Sequence, residues 1–161
     1  MLLMQMKTKL RRFPNKHMNE IKIRIAGLKD SLEIAGLMSQ LGYPTSSDEM
    51  EERLAAILLS SNYKTFVAEY QTKVIGVIGV GVLHYYEKNG KYGRLLALVV
   101  DEEWKGNSIG GSLVSEAERW LKEHKVSSII VNSSNQRHGA HRFYEQLGYE
   151  KTGLRFVKPL C

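Results

Sequence analysis

With 161 residues, 43% of them hydrophobic and 25% charged, the chain has the composition of one soluble globular domain large enough to bury a core. Its formal charge of +6 sits in the head: residues 1–17 hold Lys7, Lys9, Arg11, Arg12 and Lys16 and no acid, leaving 18 basic against 17 acidic residues from Met18 onward. A body so close to neutral argues against a nucleic-acid-binding fold, and no apolar run is long enough to cross a membrane or to act as a secretory signal. The single cysteine, Cys161, excludes an internal disulfide and fits a reducing, cytoplasmic setting. Residues 1–17 are expected to be a disordered basic extension, with the folded domain at 18–161.

Ile21-Lys-Ile-Arg-Ile25 alternates apolar and polar residues and reads as a first strand with one wet face. Asp30 or Ser31 can cap a helix to about Leu41, and Ser46 or Ser47 opens a second through about Leu59, with Asp48, Glu49, Glu51 and Glu52 at its positive end. Tyr63–Tyr70 is a strand, and Lys73–Tyr86 a longer one whose Gly76, Gly79 and Gly81 predict a bulge or close packing. Asn89-Gly90 is a hairpin signal leading into Arg94–Val100, an almost continuous apolar run that reads as a strand covered on both faces. Apolar residues then recur at Ile109, Leu113, Ala117 and Leu121 with helical spacing. Ser127–Val131 is a further strand, and His138–Leu147 a short helix with Gly148 as its C-cap. Tyr149 to about Lys158 is expected to close the sheet.

Between the apolar strand and its helix lie Lys105, Gly106, Asn107, Ser108, Ile109, Gly110 and Gly111. Small residues let a backbone turn sharply and approach a ligand, and the first amides of a helix have no internal partner. The macrodipole adds about half a positive charge there, so the stretch reads either as a phosphate cradle or as an ordinary connection with Ser108 as the N-cap.

The order β-α-α-β-β-β-α-β-α-β resembles the GNAT superfamily of N-acetyltransferases over roughly residues 21–160. Lys105-Gly-Asn-Ser108-Ile-Gly110 is similar to that family's pyrophosphate-binding loop, with Lys for the usual Arg and Ser108 for the first glycine. Ala140-His-Arg-Phe-Tyr144-Glu-Gln-Leu-Gly148-Tyr resembles its second conserved block. The ending from Arg137 to Leu160 is most similar to the aminoalkylphosphonate and small-amine branch.

The resemblance implies an α/β fold with a mostly antiparallel sheet, splayed at a central parallel pair and flanked by about four helices. It implies acetyl-CoA as donor, with CoA as product, held by Leu98, Val99 and Val100 beside the pantetheine arm. The loop Lys105–Gly111, Asn135 and Tyr144 complete that cofactor set. An amide near Val99 would meet the oxyanion, and Tyr144 would protonate the departing thiolate. No metal is implied, because Arg94 and Ala97 stand where that branch has acids.

No general base is assigned. His84 could serve directly or through water; His138 and His141 read as surface or structural residues and Glu69 as a strand-end surface acid. Arg94, if it faces the acceptor cleft, would favour an amine carrying an anionic group, so Arg94 and His84 are the expected substrate-binding residues. The reading is a cytoplasmic N-acetyltransferase acting on a small primary amine, with no nucleic-acid or membrane partner and with homodimers carried over from relatives. Alternatives are a protein N-terminal or lysine acetyltransferase and a non-catalytic acyl-CoA sensor.

Overall fold

A computed structural model describes residues 19–160; the basic head at residues 1–17 and Cys161 lie outside the described residues. The elements are β1 (Ile21–Ile25), α1 (Ser31–Leu41), α2 (Ser47–Leu58), β2 (Tyr63–Tyr70), β3 (Lys73–His84), β4 (Lys91–Val100), α3 (Ile109–Glu123), β5 (Val126–Val131) and α4 (His138–Gln146). They form a five-stranded sheet in the order β1-β2-β3-β4-β5, in which β1 to β4 pair antiparallel and β4 pairs with β5 in parallel.

Each sheet face buries one layer. On one side α3 lays Ile109, Leu113, Val114, Ala117 and Leu121 against Ile75, Ile78, Val80 and Leu95. On the other, Ile34, Leu37, Met50 and Leu54 of α1 and α2 cover Val67, Val74, Val77 and Val99. Alternation in β3 and β4 therefore serves two cores at once, which is why both strands read as continuous apolar runs. Ser46 caps α2 through a reciprocal bond with Glu49, as the sequence Ser-Ser-Asp-Glu suggests.

Three expectations are corrected. β3 stops at His84, and residues 85–90 form a loop longer than a two-residue Asn-Gly turn, with Gly90 at φ 111°. Glu69 is no free surface acid: its Oε2 accepts from Arg24 Nη2 at 2.6 Å. The last expected strand is not formed. Residues 151–160 hold no regular structure, and Phe156 is 89% exposed. Gly153 weakens a strand, Phe156 and Val157 break the two-residue period, and Pro159 withdraws a donor. Consequently the parallel β4–β5 pair lies at the edge of the sheet rather than at its centre.

Candidate active site

β4 is the spine of the site. Its pairing with β5 ends at Leu95↔Val131, yet β4 runs on to Val100. The cause is local: Gly79 pairs with Ala97 but Val80 with Leu95, so Leu96 is an inserted residue. Such a bulge bends a strand and increases its twist. Beyond it, among the described residues, β4 has no strand on its β5 side.

Backbone groups alternate sides along a strand. The amide of Asp101 donates to the Ile75 carbonyl on β3 at 2.9 Å, so those of Val99 and Ala97 also face β3. The amides of Leu98 and Val100 then face the vacated side. Near Val99, the amides that face the open side are therefore those of its neighbours, not that of Val99 itself. Just past β5, Ser133 Oγ is buried without a hydrogen-bond partner among the described residues. Only its place in the polar run Asn-Ser-Ser after a strand could have drawn attention to it in the sequence.

After β4 the chain turns through Glu102–Trp104 and reverses into α3. Gly106 has φ 84°, and Ser108 is also left-handed at φ 57°, a conformation in which a β-carbon is unfavourable. The Ser108 side chain makes no cap bond, and the first turn of α3 holds no acid. The leading amides and the positive end of the dipole are thus left without a side-chain partner. A β-carbon on Gly110 would lie 3.3 Å from the Phe143 ring, whereas one on Gly111 would meet nothing within 4 Å. Gly110 lets α4 seat on α3, and Gly111 borders a groove of about 660 Å³ that runs along α3 past Ser112 and Ser115.

Lys105 is exposed and 3.6 Å from Glu102 Oε1. Its contribution to an anion is that of a solvated charge, so Lys105→Ala is expected to weaken binding of a phosphate-bearing ligand at this loop by about 1 kcal/mol in calorimetry. Ser108→Gly removes the strained β-carbon. It is expected to hold the melting temperature or raise it by up to about 3 °C, with affinity for an anion at this loop retained.

α4 is fixed at both ends. Arg137 Nη2 donates to the Leu41 carbonyl at 3.0 Å, and Tyr149, just past the helix, donates its hydroxyl to Glu118 Oε1 at 3.0 Å. Tyr144 lies edge-on between Phe143 and Tyr149, with centroids at 5.2 and 5.6 Å, in the same apolar cluster as Leu98 and Val100. Burial pushes its phenol above the usual tyrosine range, against a smaller opposing pull from Arg137. Asn135 stands exposed in the turn before α4. His141 is hydrogen-bonded to the Ser134 carbonyl at 2.9 Å and has a structural role.

A second cavity, of about 320 Å³, opens where β4 and β5 part. Tyr63, Leu83, Arg94, Leu96, Asn132 and Arg155 line it. A β-carbon on Gly81 would come within 3.0 Å of the Tyr63 ring, so glycine there is what lets Tyr63 lie against the strand. Arg94 was expected at an acceptor site and lines this cavity. His84 does not; it is exposed at the end of β3 beside the loop. Tyr63, Asn132 and Arg155 carry no motif, and nothing in the sequence says that they share a cavity.

The profile of the acetyltransferase (GNAT) family matches residues 32–149, which spans both the β4–α3 cradle and α4. The chain belongs to the GNAT family of acetyltransferases. It is 28% identical over 124 residues to the aminoalkylphosphonate N-acetyltransferase of Salmonella typhimurium, covering 77% of this chain and 78% of that one. It is 31% identical over 91 residues to human N-acetyltransferase 8B, covering 56% of this chain but only 40% of the human one. Among solved structures, a GNAT family acetyltransferase from Staphylococcus aureus superposes with a TM-score of 0.76 at 28% identity, over 88% of this chain and 99% of that one. An aminoglycoside N-acetyltransferase in complex with CoA shares the fold, with a TM-score of 0.77 at 20% identity, over 88% of this chain and 95% of that one. GNAT enzymes use acetyl-CoA, and this chain is an acyltransferase by membership. No helix among the described residues is long and apolar enough to cross a membrane.

Proposed function

We propose that this GNAT chain transfers the acetyl group of acetyl-CoA to the primary amine of a small molecule. The observation that carries the reading is the β4 edge left open beyond Leu95, with an anion cradle at its end and a cavity at its start. The residues present fit the donor: a backbone edge for the pantetheine amides, the orphaned Ser133 Oγ beside it, and unpartnered α3 amides for the pyrophosphate. When bound, acetyl-CoA supplies an acetyl thioester open to attack by an amine.

Three tasks then fall to the protein. Lys105–Gly111 hold the pyrophosphate, and the groove along α3 offers room beyond it for the rest of the nucleotide. The amides of Leu98 and Val100 donate where negative charge develops on a carbonyl oxygen. Tyr144, kept protonated by burial, holds a proton for the departing thiolate. The modest size of the cavity beside Arg94 supports a small molecule over a peptide as acceptor. The same reading extends to a cytoplasmic enzyme that pairs as a homodimer, which sedimentation of the purified chain tests.

The deciding experiment measures release of CoA thiol with a panel of small amines and with lysine-containing and N-terminal peptides. Turnover with small amines is expected. Turnover with peptides alone would transfer the reading to protein acetylation, and tight acetyl-CoA binding without thiol release would make the chain a sensor.

A further inference from the structure

The cavity where β4 and β5 part is lined by two arginines and no acidic residue. Arg94 reaches it from β4 and Arg155 from the segment after α4, with Asn132 and Tyr63 as neutral polar neighbours. Neither arginine makes an ion pair with any described residue, unlike Arg24 with Asp30 and Glu69 or Arg119 with Glu116 and Glu123. Two positive charges lining one small cavity give it a potential that favours the entry of an anion. Guanidinium is also the side chain whose fork matches carboxylate and phosphate oxygens two at a time.

Position adds a second constraint. Arg94 lies on the cavity wall two residues before the bulge at Leu96, and the first open-side amide beyond the bulge belongs to Leu98. Four residues of strand cover at most about 13 Å, less across the bulge, a span within reach of one arginine side chain and a short amine together. Leu96, 50% exposed, and Leu83 provide the apolar wall between the two ends.

We infer that Arg94 and Arg155 form an anion subsite that selects acceptors carrying a carboxylate, phosphate or phosphonate a few bonds from the primary amine. This inference rests on the acetyl-transfer reading above and narrows it to anionic amines. It also accounts for a β4 strand that presents an arginine rather than a carboxylate to the acceptor side. An anionic group held there leaves the amine end of the acceptor pointed along β4 toward Leu98.

The test compares matched amines: β-alanine against β-alaninamide, and 2-aminoethyl phosphate against ethanolamine, each assayed for kcat/KM by thiol release. The native enzyme is expected to prefer the anionic member of at least one pair by roughly 10- to 100-fold, the scale of charge-assisted hydrogen bonds. Which pair shows the preference distinguishes a carboxylate from a phosphate ligand. In Arg94→Gln the ratio within that pair should fall toward one, with Arg94→Lys between the two and Arg155→Gln lowering it independently. Equal use of both members by the native enzyme, or an unchanged ratio in Arg94→Gln, overturns the subsite. If no amine is acetylated, calorimetry with the same compounds on the CoA-bound enzyme separates the two claims. Anion-selective binding lost in Arg94→Gln would uphold the subsite while acetyl transfer falls, and no anion selectivity would overturn the subsite as well.

Discussion

Tyr144→Phe is expected to lower turnover by roughly 10²- to 10⁴-fold while moving acetyl-CoA affinity much less. The substitution removes one hydroxyl and keeps the ring that packs between Phe143 and Tyr149, so stability should hold. The pH profile carries the sharper expectation. The rate should rise as the acceptor amine loses its proton and fall again where the phenol ionises. Because burial raises that phenol from its ordinary value of 10.0, the falling limb should lie above pH 10. It should disappear in Tyr144→Phe. Nearly full turnover with the falling limb intact would mean that another group protonates the thiolate and that Tyr144 only packs.

The helix that carries Tyr144 was legible because its block is local: a helix, its glycine stop and an aromatic after it fit in ten residues. The turn into α3 was legible for the same reason, although the left-handed backbone of Ser108 was not visible in the residue type. Elements on β4 were harder. The apolar run announced a buried strand, but nothing in Arg-Leu-Leu-Ala-Leu-Val-Val says that Leu96 is inserted, since the mismatch exists only against Gly79 and Val80 of β3. The alternation that puts Leu98 rather than Val99 on the open side follows from that pairing. His84 drew attention as a titratable residue on the right strand, yet its place at the strand end keeps it out of the cavity. Arg155 lay in a segment that reads as a strand, and residues brought together from β2, β4 and the chain after α4 share no spacing a sequence can reveal.

Arg24→Met is expected to cost about 2–4 kcal/mol of stability and to lower the melting temperature by roughly 5–15 °C. Arg24 on β1 donates through Nε and Nη2 to Glu69 Oε2 at 2.8 and 2.6 Å, and through Nη1 and Nη2 to the two Asp30 oxygens at 2.8 Å each. It therefore ties β1 to β2 and to the start of α1 in one fork. The Asp30 side chain is only 4% exposed. Methionine keeps much of the arginine stem and strands a buried carboxylate, with only the Gly27 amide, among the described residues, still donating to it at 2.8 Å.

The pH dependence distinguishes this cause from lost packing. In the native protein Arg24 holds the Asp30 carboxyl below the usual carboxylate range. The stabilisation this provides is fully present above the unfolded-chain value near 4 and fades as pH falls through the lowered folded value. Arg24→Met lacks it, and its buried carboxyl gains stability on protonation instead. The melting temperatures of the two proteins should thus lie furthest apart at pH 6–8 and converge below about pH 4. A gap of constant size across that range would assign the loss to the arginine stem's packing and not to the charges. Since the Leu41 carbonyl at the far end of α1 accepts from Arg137, a loosened α1 should also weaken the seating of α4, read as a drop in acetyl-CoA affinity that tracks the same pH window.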